Sequence, residues 1–289
     1  MNYSDLLKKK DIDGIIEFFN ENKKVFYTNI ETVVPSQFKN LDDYKKFLHE
    51  FCIKYSIDNI KKEMNDDDLI GVYVNFLDES DNLINSWFER VFEFFTLFSP
   101  EASLKLSELK NFLPVVIDKK ELDKEFNKKW ESMGINLDKK DIDLLKSTKD
   151  MLKSLVEKKI IIEERLSEIV SKRAPNTSEV ATPVVAARLI SISGGLRRLM
   201  LMPSSTIQVL GAEKALFRHL RGRNKSRPPK HGVIFYSPYV SGVSPFHRGK
   251  MARALASKIS ICAKVDYFKG KSISKKLISD LDRKMKGLK

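Results

Sequence analysis

The sequence predicts a mainly α-helical protein with three parts: a small α/β N-terminal domain, an antiparallel coiled-coil helical hairpin, and an all-α basic C-terminal domain. Three observations predict it. Apolar residues recur at helical spacing along much of the 289-residue chain, a seven-residue apolar repeat occupies its middle, and positive charge is concentrated after Val184. We place the three parts at residues 1–115, 116–202 and 203–289.

The first part combines helical and β-prone segments. Residues Asp11–Asn22 and Leu41–Tyr55 carry apolar side chains at spacings of three and four, which predicts two helices. Val25–Ile30 and Leu69–Leu77 have the composition of strands. A further helix is predicted over Asn85–Phe98, apolar around more than half of its circumference. A central core helix is the favoured interpretation of this last segment, and a partner-docking face is the alternative.

The middle part shows a heptad repeat with two polar exceptions, Thr148 and Lys159. Pro175 ends this helix, and a second helix is predicted from Pro183 to Met202 with a break at Gly194-Gly195. A single helical hairpin has little core of its own, so we predict that it forms a homodimer. The predicted dimerisation residues are the apolar heptad positions Leu145, Leu152, Leu155, Ile162, Leu166 and Ile169.

The charge is unevenly distributed between the two ends of the chain. Residues 184–289 contain 23 Lys and Arg against four Asp and Glu, a net charge of +19, whereas the first 183 residues carry −6. Such uncompensated charge requires a polyanion. Nucleic acid is favoured over an anionic membrane, because the basic segment lacks a continuous amphipathic helix with a bulky aromatic face.

The basic part predicts two helices and two loops. A helix capped by Ser205 or Thr206 is expected to run to Leu220, and the basic loop Gly222–Lys230 follows it. The segment Gly232–Tyr236 is expected to be a short buried strand or connector. A second basic helix is predicted to follow the loop that ends at Gly249. Cationic side chains interleaved with histidine and aromatic rings suit a structured RNA.

Signatures of catalysis and of cofactor binding are missing from the sequence. The segment from Gly242 to Lys250 only partly resembles a phosphate-binding loop, and no Gly-rich strand–helix turn for a nucleotide or S-adenosylmethionine is evident. The four histidines and two cysteines lack zinc spacing. We therefore predict no enzyme activity, no metal and no cofactor. Buried thiols are expected at Cys52 and Cys262, in a protein with no membrane association and a cytoplasmic location.

Three strings carry a resemblance to a known family. The run GAEKALFRHLRGRNKSRPPKHGVIFYSP (Gly211–Pro238) resembles the signature of the Nop domain, as do VAARLISISGGLRRLMLMPSSTIQVL (Val185–Leu210) and RGKMARALASKISICAKVD (Arg248–Asp266). The chain most resembles the archaeal Nop scaffold proteins of box C/D small ribonucleoproteins. The heptad helix fits the coiled-coil hairpin of that family, whereas the first 115 residues match it only in size and position.

The resemblance implies a scaffold for guide-directed 2′-O-methylation of ribosomal RNA. The N-terminal domain would bind fibrillarin, the methyltransferase that itself binds S-adenosylmethionine, and the coiled coil would dimerise. The Nop domain would bind a box C/D guide RNA together with the ribosomal-protein-like subunit that recognises its kink-turn. An RNA-modifying enzyme with an unrecognised site and a spliceosome-like Nop-domain processing factor remain alternatives.

The resemblance also implies which residues contact RNA. The expected RNA-binding residues of the first basic helix are Gly211, Ala212, Glu213, Lys214 and Arg218, while Leu216 and Phe217 are expected in the core. The basic loop and the second helix add further positions. These are Arg221, Arg223, Lys225, Arg227, Lys230, Arg248, Lys250 and Arg253.

Overall fold

A computed structural model of the chain describes residues 12–15, 40–126, 133–222 and 227–288. These residues form helices and no strand, so the mainly α-helical prediction is confirmed. The predicted strand Val25–Ile30 lies outside the described residues, and only residues 12–15 of the predicted first helix are described, as helix. The chain divides into two compact units, residues 1–65 and 66–289.

The first unit contains the helix α1, Leu41–Glu63. Its N-terminus is capped by Asn40, whose Oδ1 accepts a hydrogen bond of 2.8 Å from the backbone N–H of Asp43. The predicted helix is confirmed and extends two turns further than expected. Cys52, which lies on this helix, is exposed, so the expectation of a buried thiol is wrong there; Cys262, in the second unit, is buried as expected.

The second unit is built from one long helical pair and a bundle of shorter helices. In chain order the helices are α2 (Asp66–Phe98), α3 (Pro100–Ser103), α4 (Leu109–Phe112), α5 (Lys119–Phe126), α6 (Lys139–Arg173), α7 (Pro175–Ala181), α8 (Pro183–Ser193), α9 (Leu196–Leu201), α10 (Ser204–Val209), α11 (Glu213–Arg221), α12 (Pro238–Ser241), α13 (Arg248–Tyr267) and α14 (Ser274–Lys286). A 3₁₀ turn covers Val233–Tyr236, where a short strand or connector was expected.

The predicted strand Leu69–Leu77 is wrong, because these residues belong to α2. Three acidic residues open that helix, where the helix dipole favours negative charge. Ile70, Val74 and Leu77 are buried at spacings of four and three, which is a helical stripe. Packing against α6 and α8 therefore overrides the β-prone composition of the segment.

The heptad helix α6 packs mainly along α2, and only secondarily against the returning helix α8. The prediction that α6 and the following helix form the hairpin is wrong in its choice of partner. The polar heptad position Lys159 contributes to the α2–α6 pairing: its Nζ lies 2.6 Å from Oδ1 of Asp81 and 3.6 Å from Oε1 of Glu163. Burial alone would lower the pKa of Lys159, but the hydrogen bonds and charges of these two carboxylates outweigh burial and raise it.

A separate apolar cluster lies at the far end of the long helical pair. The aromatic face of α2 contributes Val91, Phe95 and Phe98, and these pack with Phe112 of α4 and Leu145 of α6. The interpretation of Asn85–Phe98 as a core helix is thus confirmed.

A lysine, Lys149, is buried beside this second cluster. Its ammonium group lies 5.6 Å from the centre of the Phe112 ring, and it donates a hydrogen bond to the backbone carbonyl of Val115. Burial lowers the pKa of Lys149.

The main core joins the other end of the long pair to the shorter helices. It runs from Ile70 of α2 through Leu166 of α6 and Ile190 of α8 to Ile259 of α13 and Leu281 of α14. The core therefore extends on both sides of residue 202, where a boundary was predicted from the sequence. The predicted break between the helices of Pro183–Met202 is confirmed, with Gly194 and Gly195 at φ +76° and +112°.

Two expectations for the basic part are corrected. The single helix from Ser205 to Leu220 is two helices, α10 and α11, separated at Gly211. The lysine-rich segment after Lys269, which the pattern did not predict to be helical, forms α14. In the described part of the chain, no helix combines the length and the hydropathy needed to cross a membrane.

Candidate nucleic-acid interface

The first basic helix, α11, lies on the surface and has no buried residue. Lys214, Arg218 and Arg221 are exposed, as expected of an interface with a polyanion. Phe217 is 53% exposed and Leu216 is half-buried, so the expectation that both belong to the core is wrong. The helix thus presents apolar and cationic side chains to solvent together.

A tight turn at Gly211 sets the position of α11. The φ of Gly211 is +84°, and a Cβ atom there would clash with Cγ2 of Val233. The backbone N–H of Gly211 donates a 2.6 Å hydrogen bond to Oε1 of Glu213. The carboxylate of Glu213, a predicted RNA contact, therefore holds the turn that precedes the helix.

The end of the basic loop is held by hydrogen bonds to Gln208 and Leu210, at the end of α10 and just after it. Nε2 of Gln208 donates to the carbonyl of Lys230 at 2.8 Å, and the carbonyl of Gln208 accepts from the N–H of Gly232 at 2.9 Å. The N–H of Val233 donates to the carbonyl of Leu210 at 2.8 Å. Arg227 and Lys230 are described, whereas the predicted contacts Arg223 and Lys225 lie outside the described residues.

A stack of rings and a guanidinium group joins the loop to α13. His231 stacks on Phe235 with ring centres 4.7 Å apart, and the Arg248 guanidinium carbon lies 5.2 Å from the centre of the Phe235 ring. Burial, and then the positive charges of Arg248 and Lys230, lower the pKa of His231. The side chain of Lys230 runs past Gly249, where an added Cβ would meet it at 3.7 Å. The structure thus brings Lys230 and Arg248, far apart in the chain, into one cationic cluster.

Two of the aromatic rings interleaved with the cations of the basic part, Tyr236 and Phe246, are exposed, as expected of rings that stack on unpaired bases. Tyr236 is 63% exposed and lies 5.0 Å from the guanidinium carbon of Arg188, which in turn pairs with Asp78 at 2.7 Å. Phe246, in the loop before α13, is 85% exposed. The contact between Tyr236 and Arg188 was not predicted, because the two residues lie far apart in the chain and only the fold brings them together.

The remaining predicted contacts, Lys250 and Arg253, are exposed on the first turns of α13. The two lie three residues apart and therefore on one face of the helix. Among the described residues, no group of three or more His, Cys, Asp or Glu side chains is arranged to hold a metal ion.

Comparison with known proteins places the chain in a family. A family model described as the snoRNA-binding, fibrillarin Nop domain matches residues 77–287, well over half of the chain. The chain belongs to the Nop family. The match includes α11, the basic loop and α13, and it therefore covers every predicted RNA-binding position.

Curated Nop relatives span archaea and animals. An uncharacterised NOP5 family protein of Methanocaldococcus jannaschii is 34% identical over 87% of this chain, which spans 64% of the length of that relative. Nucleolar protein 56 of Bos taurus is 31% identical over 74% of this chain, and the matched segment covers 39% of the length of that relative. A chain in a crystal structure of a fibrillarin/Nop5p complex superposes on this chain with a TM-score of 0.49 and 24% sequence identity. The superposition covers 91% of this chain and 88% of that chain.

Proposed function

We propose that this Nop-family chain is the non-catalytic scaffold of an archaeal-type box C/D ribonucleoprotein that guides 2′-O-methylation of ribosomal RNA. In this role it bridges the methyltransferase fibrillarin to a kink-turn RNA and to the ribosomal-protein-like subunit bound there. The observation that carries the proposal is the match of a snoRNA-binding, fibrillarin family model to residues 77–287.

The charge and the surface of the basic part support RNA as a ligand. Lys230 and Arg248 converge beside a stacked His231 and Phe235, and Lys214 and Arg218 are exposed on α11. Phosphate contacts from such cations supply affinity, and exposed rings can stack on unpaired bases. The apolar Phe217 beside Arg218 suits a composite surface, in which RNA and a protein subunit are contacted together.

The three predicted parts correspond to three binding roles in this proposal. Residues 1–115 bind fibrillarin, with the small α/β domain expected of the family, residues 116–202 dimerise, and residues 203–289 bind RNA and the kink-turn protein. The chain needs no cofactor, because S-adenosylmethionine is bound by fibrillarin, and the particle works in the cytoplasm.

The dimer proposal has to be adjusted to the packing of α6. Of the predicted dimerisation residues, Leu145, Leu152, Leu166 and Ile169 are buried within the chain itself. The remaining two, Leu155 and Ile162, are half-buried. We therefore propose that the exposed apolar residues of α6, beginning with Leu144 and Met151 on one face, contact the second copy.

Reconstitution tests the proposed function. The purified chain is mixed with a box C/D guide RNA, its target RNA, the kink-turn-binding subunit, fibrillarin and radiolabelled S-adenosylmethionine. Methyl transfer is expected only when both this chain and fibrillarin are present. Transfer without fibrillarin would identify the chain as an enzyme, and binding of the RNA–protein complex without fibrillarin recruitment would favour the spliceosome-like alternative.

A further inference from the structure

A groove of about 580 Å³ runs between α13 and α14 and belongs to neither the loop nor α11. The two helices follow each other closely in the chain and run antiparallel. An ion pair closes one end of the groove, with Nζ of Lys258 2.8 Å from Oδ2 of Asp280. Lys250 precedes Lys258 by two turns and Lys284 follows Asp280 by one turn, so both lysines lie on the same side of that pair.

The walls of the groove are strongly cationic. Lys250 and Arg253 line it from α13, and Lys284 lines it from α14. Within the described residues, none of the ion pairs involves any of these three side chains. Asp280, the one carboxylate among the described lining residues, is already engaged by Lys258. Three positive charges therefore share the groove without a counter-charge from the described part of the chain.

The three groove cations Lys250, Arg253 and Lys284 do not stabilise the packing of α13 against α14. Like charges on facing helices repel each other, and the repulsion lowers the stability of the helix pair unless an anion lies between them. The two helices are held together instead by burial of Ala254 and Leu281, which form the floor of the groove. The cations above that floor are therefore placed for a ligand.

The chemistry of the groove favours phosphate over a protein segment. Its polar donors are ammonium and guanidinium groups together with the hydroxyl of Ser257, and its described lining contains no aromatic ring. Protein-binding sites usually contain a central apolar or aromatic anchor pocket, whereas the floor here is a small alanine and a buried leucine. Lysine and arginine are instead the side chains that commonly contact the phosphates of a nucleic-acid backbone.

We infer that the groove between α13 and α14 binds backbone phosphates of RNA, with Lys284 completing a clamp formed with Lys250 and Arg253. The inference rests on the proposed function, because the RNA is the one held at α11 and the Lys230–Arg248 cluster. It extends the RNA surface onto α14, a helix to which no ligand was assigned from the sequence.

A matched pair of variants on α14 tests the inference. Lys284→Gln removes a groove cation, and Lys275→Gln removes another exposed cation nine residues earlier, on the opposite face of the helix. Binding of the full chain to a fluorescent kink-turn RNA carrying its ribosomal-protein-like subunit is measured over a series of salt concentrations. Lys284→Gln is expected to weaken binding roughly fivefold and to reduce the magnitude of the salt slope by about 0.7–0.9, the value for one lost phosphate contact.

The Lys275→Gln variant is expected to show a smaller loss of affinity and an unchanged slope. Equal slopes for the two variants, with tight binding by the unsubstituted chain, would overturn the groove while leaving the scaffold proposal standing. Absence of binding by the unsubstituted chain would instead refute the RNA-binding function itself.

A crosslinking variant distinguishes RNA from protein as the occupant. In a Cys52→Ser background, which removes the exposed native thiol, Lys284→Cys carries a photoreactive azidophenacyl group into the groove. Lys275→Cys in the same background, labelled in the same way, serves as the control for random capture. Crosslinking from position 284 to the RNA is expected. Crosslinking only to the kink-turn subunit would show that an acidic protein surface fills the groove and would overturn the inference.

Discussion

Thr177 donates two hydrogen bonds to the same carboxylate oxygen of Asp266, from its backbone N–H at 2.8 Å and from its hydroxyl at 2.7 Å. The other oxygen of Asp266 accepts from the backbone and the side-chain amide of Asn176 at 3.0 and 2.7 Å. Oδ1 of Asn176 in turn accepts from the N–H groups of Ile273 and Ser274. One buried acidic residue of α13 thereby caps α7 and, through Asn176, anchors the start of α14.

Replacing this carboxylate is expected to destabilise the whole second unit. Asp266→Asn presents an N–H₂ group to donors that need an acceptor, so it should lower the free energy of unfolding by about 2–4 kcal/mol. Asp280→Asn removes an acidic residue from a partly exposed ion pair and is expected to cost much less. Urea unfolding followed by circular dichroism measures both, and equal losses would show that Asp266 is not a structural centre.

Gly211 and Gly249 give opposite expectations for the same substitution. Gly211→Ala forces a Cβ into the side chain of Val233 at a positive φ, which should cost about 1–3 kcal/mol and displace α11. Gly249→Ala lies within α13, where a Cβ makes ordinary contact with Lys230, and should stabilise the helix by about 0.5–1 kcal/mol. Thermal unfolding distinguishes them, and a neutral Gly211→Ala would mean that the turn is not required.

The sequence predicted those elements whose own residues define them. The helix that became α13 and the break at Gly194-Gly195 follow from local spacing and from glycine, and both are confirmed. The strand over Leu69–Leu77 was wrong because a nine-residue apolar run does not distinguish a strand from a buried helix segment. The predicted packing partner of α6 was wrong for a different reason. Periodicity shows that one face of a helix is buried, but it does not show which element covers that face.

The sequence predicted which charged residues belong to the candidate site, but not which of them lie together in the fold. Lys230 and Arg248 were both selected as RNA contacts from the sequence, yet their convergence depends on the Phe235–His231 stack, which only the fold brings together. The groove on α13 was not predictable at all, because its second wall is α14. That helix is rich in lysine, with few apolar residues beyond Leu277 and Leu281 to mark it as part of the core.

His231 is expected to make the stability of the protein depend on pH. Since burial and the charges of Arg248 and Lys230 lower its pKa below the ordinary value of 6.5, the unfolded chain takes up the proton first as the pH falls. Its contribution to stability is therefore fully present above pH 6.5 and is lost as the pH falls below that value.

A variant that keeps the ring but cannot titrate isolates this effect. His231→Phe retains a ring to stack on Phe235, and its free energy of unfolding should fall less than that of the unsubstituted chain between about pH 8 and pH 5. Chemical denaturation at several pH values gives the difference. Parallel curves for the two proteins would show that the imidazole titrates alike in the folded and unfolded chains.

Substitutions at two adjacent residues of α6 distinguish an effect on folding from an effect on dimerisation. Leu152 is fully buried against its own chain, and Met151 is 47% exposed. Leu152→Asp places a charge in the core and should cost more than about 4 kcal/mol, so that it unfolds the long helical pair instead of yielding folded monomers. Met151→Asp should leave the chain folded, because the side chain is exposed within its own chain.

The oligomeric state then tests the exposed face of α6. If Met151 contacts a second copy, Met151→Asp is expected to halve the mass measured by light scattering while the helical circular dichroism signal is retained. The double variant Leu144→Asp/Met151→Asp should strengthen that effect, since both residues lie on one face two turns apart. A dimer that persists in the double variant would exclude this face as the interface, whereas a folded Leu152→Asp monomer would mean that α6 does not pack on α2 as described.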